Sequence, residues 1–365
     1  MRLPLMEQSR VAAETGPRSI GAVKMLRLSV TDRCNFRCVY CMPEDGVPWL
    51  PKDHILSFEE IADVVRASVQ VHGIRRFKIT GGEPTVRHGL VDLVSMLRRI
   101  DGVQDLSMTT NGFRLLDLAE PLKQAGLDRI TISIDSLDAA RFRAITRTGD
   151  LATVLRGLDR VIDAGFTGTK INCVAMRGTN DDEFAEFARL SIDRPVTVRF
   201  IEYMPLGDSA VGLADGRIDS SESGPAGGCG GQDRGRGAFV SETEIRAAIE
   251  QQLGPLISVD RESESGVGPA TVYRLAEGTP AGRIGFISAM SAPFCSTCNR
   301  LRLTADGVLR SCLFEGGEVP IRDLIRNTAT ANRAAVIGKS LADCVRLKPD
   351  VHSRHGNEQM SRIGG

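Results

Sequence analysis

MLRLSVTDRCNFRCVYC, residues 25–41, joins a β-rich run to three closely spaced cysteines. Met25–Val30 carries the strand-like residues, and Cys34, Cys38 and Cys41 follow within one short stretch. Working outward, further β-rich runs recur at Arg76–Thr80, Leu106–Thr110, Arg129–Asp135, Lys170–Met176 and Val196–Tyr203. A plausible helix follows each of the first five runs. The clearest is SFEEIADVVRASVQVHG, with Ser57 as N-cap, Glu60 completing a capping box and Gly73 as C-cap. Regular strand–helix alternation predicts parallel βαβ units. Six such units, with no GxGxxG loop after the first strand, point to an incomplete (βα)6 TIM-like barrel rather than an open dinucleotide-binding sheet.

In a parallel barrel the chemistry belongs at the C-terminal ends of the strands. The cysteine triplet follows the first run, Gly81-Gly82-Glu83-Pro84 the second and Asn111-Gly112 the third. Ser133 and Asp135 close the fourth, and Met204-Pro205 follow the sixth. Beyond the barrel, residues 207–238 are rich in Gly, Ser and Asp and read as a flexible insertion that carries Cys229. A second region, 239–350, opens on SETEIRAAIEQQLG, a short helix with Ser241 or Thr243 as its cap. Strand-like runs follow at Thr271–Leu275 and Arg283–Ser288, and LRLTADGVLRSC reads as a hairpin around Asp306-Gly307. Residues 1–24 read as a flexible leader and 351–365 as a polar tail ending in Gly364-Gly365.

The chain has 365 residues, enough for a large domain and a smaller one. With 46 basic and 46 acidic residues it has no net charge, which argues against a general nucleic-acid or membrane-surface binder. No apolar run is long enough to span a bilayer, and the first residues lack the apolar core of a signal peptide. A cytoplasmic setting is expected, where thiols stay reduced and nine cysteines serve better as metal ligands than as disulfides.

Three thiolates in one loop, with no fourth Cys or His, leave several readings open. Structural zinc takes four ligands, often in C-x2-C pairs, and a cubane iron–sulfur cluster normally takes four cysteines. A zinc knuckle, three buried thiols, or a cluster with one iron left open for a small molecule all fit the spacing. Cys295-Ser-Thr-Cys298, with Cys312 beyond the hairpin, poses the same choice.

Tyr40 before the last cysteine of the first triplet, together with GGEP on the second strand, resembles the radical S-adenosylmethionine superfamily. LRLSVTDRCNFRCVYCMP, KITGGEPTVR, MTTNG, TISIDSLD, KINCVAMRG, RFIEYMP, CSTCNRLRLTADGVLRSCLF and the final Gly-Gly, in that order, resemble the GTP 3′,8-cyclase family within it. The resemblance implies that Cys34, Cys38 and Cys41 hold a [4Fe–4S] cluster whose open iron is chelated by S-adenosylmethionine. Reductive cleavage then gives a 5′-deoxyadenosyl radical that abstracts the 3′ hydrogen of GTP. The product is (8S)-3′,8-cyclo-7,8-dihydroguanosine 5′-triphosphate, at the start of molybdenum-cofactor biosynthesis. A radical of that reactivity demands an oriented, water-excluding site.

By the same resemblance, Gly82 lets the backbone approach the methionyl group and Glu83 offers a carboxylate to the cofactor's ammonium. Tyr40, Ser133, Asn172 and Met204 match further cofactor contacts. Cys295, Cys298 and Cys312 hold a second [4Fe–4S] cluster, whose open iron binds the guanine, in a C-terminal region that closes the barrel opening. Arg27, Lys78, Thr109, Lys170, Arg199, Arg300, Leu301 and Arg302 match GTP contacts, and Gly364 and Gly365 reach into the active site for cyclisation. Long cations within strands, as at Arg27, Lys78, Lys170 and Arg199, are unexpected for ordinary β structure and favour a functional reading. Arg300 and Arg302 alternate, so both can share one face. The triphosphate has no Walker A sequence to hold it.

The implied partners are GTP, a flavodoxin- or ferredoxin-type electron donor and the next pathway enzyme, cyclic pyranopterin monophosphate synthase. No nucleic acid or membrane is expected, and the chain would act as a monomer or homodimer. Two rivals stand beside this reading. One is a peptide-modifying radical maturase with an auxiliary cluster, which would usually carry more C-terminal cysteines. The other is a non-enzymatic zinc or nucleotide-binding protein. The long 207–238 insertion and the segment 328–348, with Cys344, depart from the family pattern.

Overall fold

The computed structural model describes residues 16–206, 238–260, 268–276, 282–315, 317–352 and 360–364. The leader up to residue 15, nearly all of the Gly-rich insertion with Cys229, and Gly365 lie outside these described residues.

Six parallel strands run in sequence order across the sheet: β1 (Met25–Ser29), β2 (Arg76–Thr80), β3 (Asp105–Thr110), β4 (Arg129–Ser133), β5 (Thr169–Ala175) and β6 (Val196–Glu202). Helices connect them, as the alternation predicts: α1 (Phe58–His72), α2 (Leu90–Arg98), α3 (Leu115–Gln124), the pair α4 (Ala139–Thr146) and α5 (Leu151–Asp163), and α6 (Phe184–Asp193). In α1 the Ser57 side chain accepts from the Glu60 amide, Glu60 returns the bond, and Gly73 closes the helix in the left-handed conformation. The fold is the partial TIM-like barrel expected from the sequence.

The C-terminal half is woven into both edges of this sheet. After α7 (Glu242–Leu253), β7 (Leu256–Ser258) and β8 (Thr271–Leu275) lead to β9 (Arg283–Ile287), which runs parallel to β6. Strand β10 (Arg300–Leu303) returns to run parallel to β1 at the far edge. There β11 (Val308–Arg310) and β12 (Glu318–Pro320) continue the sheet antiparallel, with the hairpin at Asp306-Gly307 where the sequence places it. Ser241, not Thr243, caps α7, because its hydroxyl reaches the Glu244 amide and Glu244 completes a second capping box.

Helices α8 (Arg322–Asn327) and α9 (Thr330–Arg346) follow. His72 at the end of α1 bonds the Gly338 carbonyl of α9 at 2.7 Å, and Cys344 is buried in the core. Residues 16–24, expected as part of a leader, are packed: Ser19 caps a short helical turn, Val23 is buried and Lys24 donates to Asn299 O at 2.8 Å. Among the described residues no helix is long and apolar enough to cross a membrane.

Strand alternation divides the side chains into two sets. Phe77, Ile79, Leu106, Met108, Ile130, Ile132, Ile171, Val198 and Phe200 are buried in the hydrophobic core outside the barrel, with helix residues such as Ile61, Leu93, Leu115 and Leu158. Each such side chain contributes about 1.5–3 kcal/mol. Cys173 belongs to this set. The alternate positions face inward and are mostly polar or cationic. A parallel barrel is ordinarily filled by branched apolar layers; here charged side chains line a cavity of about 340 Å³ instead.

Candidate active site

The two cysteine triplets stand at opposite ends of the strands. Cys34, Cys38 and Cys41 lie on the loop after β1, at the C-terminal ends. Cys295 and Cys298 immediately precede β10, which is parallel to β1, and Cys312 follows the antiparallel β11. The second triplet is therefore at the N-terminal ends. All six cysteines line the cavity and are free thiols. At about 3.3 Å per residue, a five-residue strand separates the two sites by roughly 16 Å.

The first loop is held by its neighbours. Gly82 donates to Thr31 O and Glu83 to Arg33 O, each at 2.8 Å, so GGEP pairs with the backbone that leads into the cysteines. A Cβ on Gly82 would run into the Arg33 carbonyl and come within 2.6 Å of the Asp32 carbonyl. The bare α-carbon is thus demanded by the cysteine loop itself, a reason the sequence expectation of ligand approach did not contain. Gly82→Ala is expected to displace that loop. Overpacking of this kind costs about 1–3 kcal/mol, so the iron taken up on anaerobic reconstitution and its EPR amplitude should fall below those of the wild-type protein. Wild-type values for both would contradict this account.

Glu83 is buried. Its Oε1 accepts from the Thr85 amide at 3.0 Å, the Thr85 hydroxyl at 2.5 Å and the Thr110 hydroxyl at 2.7 Å, and its Oε2 accepts from the Asn111 amide at 2.6 Å. Burial raises its pKa while these four bonds oppose the rise. Tyr40 donates to Asp135 Oδ2 at 2.7 Å, and Oδ1 accepts from the Val174 amide at 2.9 Å. Burial pushes the Asp135 carboxyl up to about 6. Asp135 is a cavity residue that the sequence marked only as a strand end. Burial, then the neighbouring Glu83 charge, pushes the Cys34 thiol up to about 11, and Cys38 is raised as well. A bound metal reverses such shifts by deprotonating the thiol outright.

Seven Arg and Lys side chains line the cavity against two carboxylates, Glu83 and Asp135, which both sit at the first-triplet end. Strand register places Arg302, Arg27, Lys78, Ser107 and Arg129 as successive partners across β10, β1, β2, β3 and β4. Lys78 donates to the Thr131 hydroxyl at 3.1 Å. Burial first, then the surrounding cations, lowers the pKa of Arg27 and Lys78 well below their ordinary values, that of Arg199 to about 10 and that of Arg302 to about 9. Thr109, Ser133, Lys170, Asn172, Met204 and Arg300 line the same space.

Leu301 departs from the expected set. Its side chain is in the hydrophobic core, on the face opposite Arg300 and Arg302, as alternation along β10 requires. Arg129 was not foreseen. It is ion-paired with Asp105 and occupies the same face of β4 as Thr131 and Ser133, a signal present in the alternation of RITIS.

Around the second triplet, Glu202 at the end of β6 accepts from the amides of Met290 and Ser291, each at 2.8 Å, and so holds the loop that leads to Cys295. Lys348 donates to the Cys298 carbonyl at 2.7 Å. Burial would raise the Cys298 thiol, but Arg300 and Lys348 outweigh it and hold the thiol below its ordinary value. His352 stacks on Phe314 with 4.1 Å between ring centroids and bonds the Ala289 carbonyl at 2.9 Å. Lys348 ends the segment 328–348 that departs from the family pattern, and His352 lies in the polar tail. The tail also returns: the Arg302 guanidinium donates to the Gly364 carbonyl, and Gly364 is buried between Ser29 and Thr80.

Each three-cysteine set lines one end of the cavity, and sets of three thiols fit iron–sulfur clusters that leave one iron for a small molecule. The fold and these sites define a radical S-adenosylmethionine enzyme, and residues 28–191 match the Radical SAM superfamily. Residues 196–354 match the Molybdenum Cofactor Synthesis C family. The GTP 3′,8-cyclase of Pelotomaculum thermopropionicum is 43% identical over 347 residues, covering 94% of this chain and 98% of that protein. The GTP 3′,8-cyclase of Pseudomonas putida is 43% identical over 330 residues, 90% of each chain. Among solved structures, Streptococcus suis SuiB bound to precursor peptide SuiA shares the fold, with a TM-score of 0.53 and 13% identity over 90% of this chain and 66% of that chain. The chain belongs to the GTP 3′,8-cyclase family.

Proposed function

We propose that this chain converts GTP to (8S)-3′,8-cyclo-7,8-dihydroguanosine 5′-triphosphate. The observation that carries the reading is the polarity of the cavity. Both of its carboxylates stand beside Cys34, Cys38 and Cys41, and its cations fill the remainder up to Cys295, Cys298 and Cys312. S-adenosylmethionine is a sulfonium with an ammonium group and suits the acidic end. A triphosphate suits the cationic remainder.

The first triplet would hold the [4Fe–4S] cluster that binds S-adenosylmethionine, and the second a [4Fe–4S] cluster facing guanine. Together the first cluster and S-adenosylmethionine supply, when bound, the 5′-deoxyadenosyl radical that takes the 3′ hydrogen of the ribose. The chain's own residues orient and exclude. Glu83 presents the lone pair left on Oε2 to the cofactor's ammonium. Tyr40 stays protonated, because burial and then the Asp135 charge raise its pKa well above the ordinary value. Ser133, Asn172 and Met204 bound the adenosyl position. Arg27, Lys78, Lys170, Arg199, Arg300 and Arg302 take the phosphates, with Thr109 beside them. Arg129 adds a seventh cation to the same cavity. The tail, whose Gly364 carbonyl is held by Arg302, closes over the reacting nucleotide and keeps water out.

The reaction belongs in the cytoplasm, where reduced thiols and a flavodoxin- or ferredoxin-type donor are at hand. The product would pass to cyclic pyranopterin monophosphate synthase.

Anaerobically reconstituted protein given reductant, S-adenosylmethionine and GTP should release 5′-deoxyadenosine only when GTP is present, together with one new cyclised nucleotide. Release that ignores GTP, with no new nucleotide, would overturn the reading.

A further inference from the structure

Asn172 and Arg199 serve different ligands in the function proposed above, yet they are bonded to each other. They are register partners on the adjacent parallel strands β5 and β6, and Ser133 is the partner of Asn172 on β4. Arg199 donates to Asn172 Oδ1 twice, from Nε at 3.0 Å and from Nη2 at 2.6 Å. Gly285 makes this posture possible. It is the register partner of Arg199 on β9, and a Cβ there would stand 3.1 Å from Arg199 Cγ. With that flank bare, the arginine stem has room beside β9 while its guanidinium serves Asn172. Arg129 and Arg300 are the charged neighbours that disfavour its charge. The buried guanidinium therefore leans on a neutral amide oxygen.

We propose that the Arg199–Asn172 bond couples cofactor binding to substrate binding, resting on the reading that Arg199 faces the triphosphate and Asn172 the S-adenosylmethionine. A phosphate offers the guanidinium two charged oxygens, matched to its fork in a bidentate pair, in place of one neutral oxygen, which makes it the stronger partner. Substrate therefore draws Arg199 away and leaves Asn172 Oδ1 open to the adenosyl group. A cofactor that engages Asn172 first leaves Arg199 open to the phosphates. Each ligand breaks the bond that the other would have had to break. The coupling is thus positive, and by linkage it has the same size in both directions. Its consequence is that the radical source is bound best when the nucleotide is already in place.

Equilibrium binding to the unreduced holoenzyme reads this without turnover. GTP should lower the Kd of S-adenosylmethionine by about fivefold or more, the lower end of ordinary coupling, and S-adenosylmethionine should lower the Kd of GTP by the same factor. Guanosine keeps the base and ribose but offers Arg199 no phosphate, so it should leave the Kd of S-adenosylmethionine unchanged. Asn172→Ala should bind both ligands with no mutual effect, and Arg199→Lys, which keeps the charge but loses the paired donors, should show a reduced one. Full coupling in Asn172→Ala, or full coupling induced by guanosine in the wild-type protein, overturns the proposal. Wild-type protein that binds both ligands independently overturns the coupling and leaves the cyclase reading standing. Protein that binds neither ligand overturns both.

Discussion

Arg302→Ala is expected to lower kcat/KM for GTP cyclisation by about 1.5 to 3.5 orders of magnitude, the range set by losing one buried charge-assisted contact at about 2–5 kcal/mol. The residue has two tasks that converge on the substrate. It heads the register row that continues through Arg27 and Lys78, and its guanidinium holds the Gly364 carbonyl. Alanine removes both the charge and the hold on the tail. Unfolding is not the expected route of this loss. Burial, then Arg300, presses the Arg302 pKa down to about 9, so the folded state disfavours the charge it carries at neutral pH. A base whose folded pKa lies below its unfolded value makes the protein more stable as pH rises between the two. Removing it should leave the thermal midpoint unchanged or higher. S-adenosylmethionine, which the proposed function seats on the first triplet and Glu83, should keep its affinity for Arg302→Ala in the absence of GTP. Arg302→Lys keeps a point charge but not the planar fork, and should fall between. The measurements are product formation by chromatography, the thermal midpoint, and the Kd of S-adenosylmethionine. A rate within tenfold of wild type would remove Arg302 from the substrate site.

Much of this site was legible before any coordinates, because its signals are local. Cys34, Cys38 and Cys41 sit within one loop, and Ser57 with Glu60 forms a capping box in a four-residue window. Lys78 and Lys170 are long cations at strand positions where a packed barrel would carry Val or Ile. What stayed hidden depends on which strands become neighbours. Arg283–Ser288 reads as a strand and residues 301–312 as a hairpin, but nothing in them says that the first pairs with β6 and the second with β1. Only that pairing brings Arg302 beside Arg27 and puts the second triplet at the N-terminal ends. Arg129 is a different case: its strand is legible, and the alternation that flags Arg300 and Arg302 puts it on the inward face with Thr131 and Ser133. Leu301, between Arg300 and Arg302, is sent by the same alternation to the core. Gly82 shows a third kind of limit. A missing side chain signals a close approach, and only the structure identifies the approaching group as the carbonyls of Asp32 and Arg33.

The opposite placement of the triplets makes their removal separable, and this yields the second large effect. Cys38→Ala should abolish reductive cleavage of S-adenosylmethionine, with 5′-deoxyadenosine falling below detection whether or not GTP is present. Cys298→Ala should do something different. The first triplet, Glu83, Tyr40 and Asp135 stand at the C-terminal ends of the strands, away from the loop that Glu202 and Lys348 hold. Cleavage of S-adenosylmethionine should therefore persist, uncoupled from GTP, while the cyclised nucleotide disappears. Iron per protein should fall by about half in each variant if each triplet holds one cluster of the same size. The iron that remains should be redox-active at the open site in Cys298→Ala and inert toward S-adenosylmethionine in Cys38→Ala. A shared structural role for all six cysteines predicts instead that both variants lose all iron and both activities together. Iron assay, 5′-deoxyadenosine release and nucleotide analysis on the two proteins distinguish these outcomes. Persistence of the cyclised nucleotide in Cys298→Ala would show that the second triplet does not hold the substrate, and the cation row alone would then have to orient the ribose toward the first.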